Sequence, residues 1–218
     1  MKIARGGWSH IAVGLLVGVV GGFSLYHQFM LAGVLLLIAG VLLTAFMVYF
    51  FRDPERVSPS DPDVVVSGAD GWVRSVERIS EARYLKRDTV RISVYLTPWD
   101  VHVNRVPVAG RVIGLDYTPG KHILTRNPQS SEVNEHSTIV IAGEKITCMV
   151  RQIVGPLVRR VKYWLELNQD VGRGDRLGIM KFGSRLDIYL PAEDVTPVVK
   201  AGDRVFAGLT VIARITKG

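Results

Sequence analysis

The stretch MLAGVLLLIAGVLLTAFMVYFF, Met30 to Phe51, carries no charged residue and decides the architecture of this chain. A helix needs ~20 apolar residues to cross a hydrocarbon core of ~30 Å, and this run supplies them. Working back towards the N-terminus, the uncharged region begins at Gly6, so Asp, Glu, Lys and Arg are missing from 46 consecutive positions, 6 to 51. That is room for two crossings joined by a tight turn. Ile11 to about Tyr26 reads as the first, with Tyr26-His27-Gln28 as the polar break. Gly14, Gly18 and Gly22 recur every fourth residue, and small residues so spaced let two membrane helices approach closely. Lys2 and Arg5 precede the pair; Arg52 and Arg56 follow it. Positive charge on both flanks predicts cytoplasmic ends and an even number of crossings. The competing reading, a cleaved leader followed by a stop-transfer helix, finds no small-residue cleavage site. The expectation is a two-helix anchor over 1–57 in the cell membrane, with residues 58–218 on its cytoplasmic face.

The composition agrees. The chain has 218 residues, 48% of them hydrophobic and 22% charged, a balance that excludes disorder. After the anchor there is room for one domain of ordinary size. A net charge of +7 calls for an acidic partner, and beside an apolar hairpin that partner is an anionic membrane surface rather than nucleic acid. The single cysteine, Cys148, excludes an internal disulfide framework and a multi-cysteine zinc site, and no metal is expected.

A Pro/Ser/Asp-rich linker, Ser58 to Asp63, follows the anchor. From Val64 the texture changes to short β-branched runs cut by Gly, Pro and Asp: VVVSGADG, TVRISVYLTP, AGRVIGLDYTPG, STIVIAGE and RLDIYLPAE. These read as strands, giving a mainly β (α+β) domain. Ile153 to Val161 fits a short helix or a strand equally well. Val171-x-x-Gly174-Asp175-Arg176-Leu177 is echoed by Val199-x-x-Gly202-Asp203-Arg204-Val205, so the last 50 residues contain two similar turn-strand units.

Between the two units lies Ile179-Met180-Lys181-Phe182-Gly183-Ser184-Arg185-Leu186-Asp187, which supports two readings. A Met-Lys pair between V-x-x-G-D turns resembles biotinyl and lipoyl carrier domains, with Lys181 as the modified residue of a non-enzymatic membrane carrier or adaptor. The flanking Glu-Ala and second Met of such domains are missing, and Val64 to Gln169 would be left unexplained. The other reading uses Gly183-Ser184. Glycine has no Cβ, so its carbonyl is open to attack by the next serine and its backbone tolerates strain. An N→O acyl shift gives an ester. β-Elimination then cuts the chain, and the dehydroalanine left behind hydrolyses to a pyruvoyl group. Such a ketone forms a Schiff base with a substrate amine and acts as an electron sink.

Context favours the second reading. Phe51-Arg52-Asp53-Pro54 stands at the membrane exit, followed by Ala69-Asp70-Gly71 and then Asp100-Val101-His102-Val103-Asn104-Arg105 with Pro107 and Gly110. Asn134-Glu135-His136 and Phe182-Gly183-Ser184 complete the series. In this order, behind a hydrophobic hairpin, the pieces resemble the short branch of the phosphatidylserine decarboxylases over almost the whole chain.

The resemblance implies self-cleavage between Gly183 and Ser184 into residues 1–183 and 184–218, a pyruvoyl cofactor made from Ser184, and an enzyme assembled from its own two fragments. The substrate would be phosphatidylserine or an archaeal ether-lipid equivalent, converted to the ethanolamine lipid and CO₂. The family's Ala-Asp-Gly aspartate falls on Asp70, a member of an Asp-His-Ser relay; the bland alternative is a turn residue. The relay histidine of the longer branch falls on Arg105, so the base must be another group. His102, which matches the first histidine of that motif, is the candidate, although it could also be a satisfied polar group on a strand face. His122 and His136 remain open. Asp100 either caps or orients His102, or faces solvent. His136 replaces the arginine of the family's Asn-Glu-Arg. The lipid tails and any higher oligomer are left open.

Overall fold

The computed structural model describes residues 2–127, 129–156, 161–180 and 183–216. They form two compact units, one ending at Glu55 and the other starting at Arg56. In the first unit, runs of Leu, Val, Ala and Gly without proline form helix α1, Trp8–Tyr26, and helix α2, Met30–Phe50. Both are long and apolar enough to cross a membrane. The turn between them is closed by backbone bonds, Phe29 N–H to Ser24 O (2.9 Å) and Gln28 N–H to Leu25 O (3.0 Å), with Gln28 at φ +66°. Lys2–Ile3 pairs antiparallel with Arg52–Asp53 and ties the two ends of the hairpin together.

Glycines bring the helices together, though not quite those the four-residue spacing suggested. A Cβ on Gly40 would lie 2.3 Å from Gly18 N, one on Gly21 2.4 Å from Leu37 N, and one on Gly14 2.6 Å from Thr44 Oγ1. Gly22 faces open space. The helical period explains the difference. Seven residues make almost two full turns, so Gly14 and Gly21 share a face that Gly22 has rotated past. Leu15, Leu16, Leu31, Leu35 and Leu42 point outward and are exposed. Small residues inside and large apolar ones outside invert the pattern of a water-soluble helix pair.

The second unit is β-rich. Its main sheet has eight antiparallel strands in the order Asp170–Val171, Gly110–Thr118, His136–Ala142, Thr147–Ile153, Arg185–Pro191, Arg87–Tyr95, Gly71–Glu81, Arg204–Val205. Two three-stranded sheets accompany it. One joins Val195–Pro197, Val211–Ile215 and Val64–Val66; the other joins Lys162–Tyr163, Arg176–Ile179 and Val103–Arg105. Alternating residues of the central strands, among them Ile92, Val94, Ile139, Ile141, Leu186 and Ile188, fill one continuous core. Strand Thr147–Ile153 ends at the start of the ambiguous stretch; Val154 to Pro156 follow with no regular structure, and residues 157–160 lie outside the described residues.

The repeated V-x-x-G-D-R segments fold alike. Gly174 and Gly202 both take positive φ, +87° and +93°. The Asp175 and Asp203 carboxylates accept from Gly172 N–H (2.7 Å) and Lys200 N–H (2.8 Å), closing equivalent turns. Each turn also clasps a partner residue through its backbone, Val106 in the first and Val73 in the second.

Candidate functional site

Gly183 and Ser184 lie where the 176–179 strand has ended and the central 185–191 strand begins. Gly183 adopts φ +73°, the left-handed region that costs a residue with a Cβ ~1–2 kcal/mol, and a Cβ there would meet nothing within 4 Å. Glycine is required here by conformation, not by space. Ser184 is buried, and its carbonyl accepts from Leu96 N–H at 3.1 Å. The Gly183 carbonyl accepts a hydrogen bond from Thr125 Oγ1 at 2.7 Å. A cavity of about 190 Å³ opens beside this peptide, lined by Tyr95, Leu124, Thr125, Arg126, Pro156 and Gly183. A larger one, about 450 Å³ near Lys145 and Arg173, shares no lining residue with it.

His102 is fully buried next to the 103–105 strand, and its backbone carbonyl accepts from Met180 N–H at 3.2 Å, on the approach to Gly183. Its Nδ1 lies 2.9 Å from the Asp100 carbonyl. A carbonyl only accepts, so Nδ1 carries the proton and Nε2 is the basic nitrogen of the neutral ring. Asp100 therefore orients His102 through its backbone. Its carboxylate caps the 97–100 turn, accepting from Thr97 N–H (2.7 Å) and Thr97 Oγ1 (2.8 Å), and pairs with Arg204. Burial pushes this carboxyl up, but the bonds from Arg204 and Thr97 outweigh it and hold it below the ordinary aspartate value.

Asp70 is buried directly before the 71–81 strand. Arg56 grips its carboxylate with both arms of the guanidinium, at 2.5 and 2.8 Å, and Ala207 N–H adds a third bond at 2.8 Å. Arg56 also donates to the Ala207 carbonyl at 2.7 Å. The sequence offered Arg56 as a charge flanking the hairpin; it is instead half of a buried ion pair. The Asp70 and His102 segments meet where Arg105 N–H donates to Gly68 O at 2.9 Å. Arg105, which stands where the longer branch has its relay histidine, is buried and donates to the Gly174 carbonyl at 2.9 Å.

The other two histidines sit in different surroundings. His122 Nε2 lies 2.9 Å from a Glu135 carboxylate oxygen. His136 Nδ1 donates to the Asn134 carbonyl at 2.7 Å, and its strand register places it opposite Ile153, which in turn opposes Arg185. It thus lies on the sheet face that carries Arg185, not the face that carries Leu186. Lys181, the residue on which the carrier reading rests, lies outside the described residues.

Sequence reasoning passed over a buried network just beyond Ser184. Arg185 pairs with Asp187 at 3.0 Å, Asp187 accepts from Ser131 Oγ at 2.7 Å, and Arg185 Nη1 donates to the Thr125 carbonyl at 3.2 Å. The one available signal was an Arg-x-Asp pair inside an otherwise apolar strand, where charges occur only when paired.

A glycine in the left-handed region, joined to a buried serine and bonded through its carbonyl to a hydroxyl, suits a backbone-derived carbonyl cofactor. Fold and site together define a β-rich enzyme domain that follows an apolar helical hairpin. The chain belongs to the phosphatidylserine decarboxylase family, whose profile matches residues 43–213. It is 39% identical over 211 residues to the phosphatidylserine decarboxylase proenzyme of Carboxydothermus hydrogenoformans, covering 97% of this chain and 95% of that protein. The proteins of the same name from Pelobacter propionicus and Desulfotalea psychrophila are 44% and 41% identical, each over 80% of this chain and over 79% and 82% of their own lengths.

Proposed function

We propose that this chain is a membrane-anchored decarboxylase that cuts itself between Gly183 and Ser184 and then removes CO₂ from the serine headgroup of phosphatidylserine or its ether-lipid equivalent. The observation that carries the reading is the Gly183-Ser184 peptide itself, with Ser184 buried and Gly183 held at positive φ, in a chain whose relatives are named proenzymes. His102 Nε2 takes the Ser184 hydroxyl proton, and Asp100 holds the ring through its carbonyl. Asp70, gripped by Arg56 and Ala207 N–H, fixes the 68–70 segment to which Arg105 N–H ties the histidine's strand. The Ser184 oxygen replaces the Ser184 nitrogen on the Gly183 carbon. Loss of the Ser184 Cα proton then breaks the Cβ–O bond, releasing residues 1–183 with a new carboxylate. One water hydrolyses the remaining dehydroalanine, and ammonia leaves.

The pyruvoyl group that results supplies a ketone able to accept the substrate amine and the electron pair freed by decarboxylation. The 190 Å³ cavity admits a headgroup but not lipid tails, and Arg126 gives it a positive wall for carboxylate or phosphodiester. Helices α1 and α2 would keep the enzyme on the bilayer that holds its substrate, with the second unit on the cytoplasmic side.

Intact mass tests the reading. The active protein should contain a fragment of residues 184–218, 35 of 218 residues and so about 3.9 kDa of the 24.1 kDa total. Its N-terminus should be blocked and reducible by borohydride. Ser184→Ala should leave one inactive chain. An active preparation composed only of the intact 24.1 kDa chain would refute the proposal.

A further inference from the structure

The scissile carbonyl already has a hydrogen-bond donor in the uncut chain. Thr125 Oγ1 lies 2.7 Å from Gly183 O, inside the range in which a donor stabilises an oxyanion. We propose that Thr125 is a catalytic residue of the self-cleavage, its hydroxyl holding the negative charge that develops on Gly183 O when Ser184 attacks. This inference rests on the serinolysis reading above and supplies the electrophilic half of that step.

In the step itself, Ser184 Oγ bonds to the Gly183 carbonyl carbon and its proton passes to the base. The carbonyl π pair moves onto Gly183 O, where the Thr125 hydroxyl donates to it without giving up its own proton. Collapse of the alkoxide restores the carbonyl and breaks the bond to Ser184 N, which takes up a proton. The product is a Gly183–Ser184 ester with a free amine on residue 184.

Three features make this donor preorganised rather than incidental. Thr125 is 3% exposed, so its hydroxyl is withdrawn from bulk water and acts in surroundings of low polarisability. Its own carbonyl is held by Arg185 Nη1 at 3.2 Å and by Ser130 Oγ at 3.3 Å, which fixes the backbone that carries the hydroxyl. Arg185 directly follows the nucleophile and is locked by Asp187, which in turn accepts from Ser131 Oγ at 2.7 Å. The donor loop and the scissile peptide are thus pinned to one strand end. The left-handed turn at Gly183, φ +73°, completes this constrained peptide.

The test follows maturation of the full-length chain after a short synthesis pulse in vesicles or detergent, by gel and intact mass. Thr125→Val keeps the shape and removes the donor, so cleavage should slow ~10²- to 10³-fold, the usual cost of losing one oxyanion donor. Thr125→Ser keeps the hydroxyl and should cleave within about tenfold of wild type, a rescue that a purely packing role would not give. Hydroxylamine, which splits esters, locates the block: with the donor gone, no ester should accumulate.

Maturation of Thr125→Val at the wild-type rate would overturn the proposal, as would an ester pool showing that only elimination had slowed. If melting shows Thr125→Val unfolded, Thr125→Ala, which cannot overpack, decides in the same way. A wild-type chain that never cleaves sinks the serinolysis reading instead, an outcome distinct from failure of the Thr125 assignment.

Discussion

Replacing Arg56 by alanine should destabilise the β-rich unit more than any ordinary surface arginine would. The Arg56 and Asp70 side chains are 8% and 4% exposed, so solvent does not screen the pair. Arg56→Ala removes two charge-assisted bonds to Asp70 and one to the Ala207 carbonyl, leaving the carboxylate with the Ala207 N–H. Breaking a buried pair by deleting one partner costs ~3–5 kcal/mol, because the surviving charge stays desolvated. At ~2–4 °C per kcal/mol for a domain of this size, the melting temperature should fall by roughly 6–20 °C. The measurement is thermal unfolding of the full chain in detergent, on a Ser184→Ala background so that every variant is a single polypeptide. Arg56→Met combined with Asp70→Asn should recover most of the loss, since no uncompensated charge remains. A loss below about 1 kcal/mol for Arg56→Ala, or an equal loss with Asp70→Asn already present, would refute the reasoning.

His102→Ala should slow maturation by ~10²- to 10⁴-fold for a lost proton-transfer partner, and a normal fragment yield from it would move the base to His122 or His136. Asp70→Ala should also lower the fragment yield, by leaving the buried Arg56 guanidinium without its carboxylate. His136 should give an acid-sensitive limb. Burial is the main force holding its ring below the ordinary 6.5, helped by nearby Arg151, so the unfolded chain binds the proton more readily. Stability should therefore fall as pH drops from 6.5 through the depressed value, and His136→Gln should flatten that slope in chemical denaturation. Reporter domains fused at residue 3 and inserted at residue 60 should report the same side of the membrane; opposite sides would exclude the hairpin topology. The 184–218 fragment should co-elute with the rest of the chain on gel filtration, and its loss without denaturant would count against the cleavage site.

The hairpin and the β-rich unit were legible because each is written in a repeating local pattern: an uncharged run of membrane length, then short β-branched segments between Gly and Pro. The duplicated turn was legible for the same reason, since Gly174 with Asp175 and Gly202 with Asp203 build equivalent backbones from the same residues. The helix contact was half legible. A spacing of four captures Gly14 and Gly18, but the true period of 3.6 carries the contact to Gly21, away from Gly22. The site's long-range hydrogen bonds were hidden because their partners are brought together by the fold. Arg56 and Ala207 are 151 residues apart, and Thr125 and Gly183 are 58 apart. No local spacing singles out a threonine in an irregular loop. Asp100 was readable as a neighbour of His102, but which of its oxygens faced the ring was not; the carboxylate went to Arg204 and Thr97, and the backbone carbonyl to the histidine.

The position of the proposed cut follows the same logic of shared frames. Strand 185–191 lies in the interior of the eight-stranded sheet, paired along its length with 87–95, from Arg185 opposite Tyr95 to Pro191 opposite Thr89, and on its other side with 147–153. Beyond it, Val211–Ile215 is the middle strand of a second sheet, between 195–197 and 64–66. Arg204, in the second copy of the repeated turn, is held by Asp100, and Ala207, two residues beyond that copy, by Arg56 and Asp70, so the downstream segment carries residues bound by two of the aspartates singled out in the sequence. Breaking the Gly183–Ser184 peptide would therefore create two chain ends between strands 176–179 and 185–191 and leave the pairings of both strands in place. That is what self-cleavage requires of a fold: the new N-terminus must become a reactive group without leaving the site that made it. An interior strand, fixed on both sides before the bond is cut, meets that requirement in a way an edge strand would not.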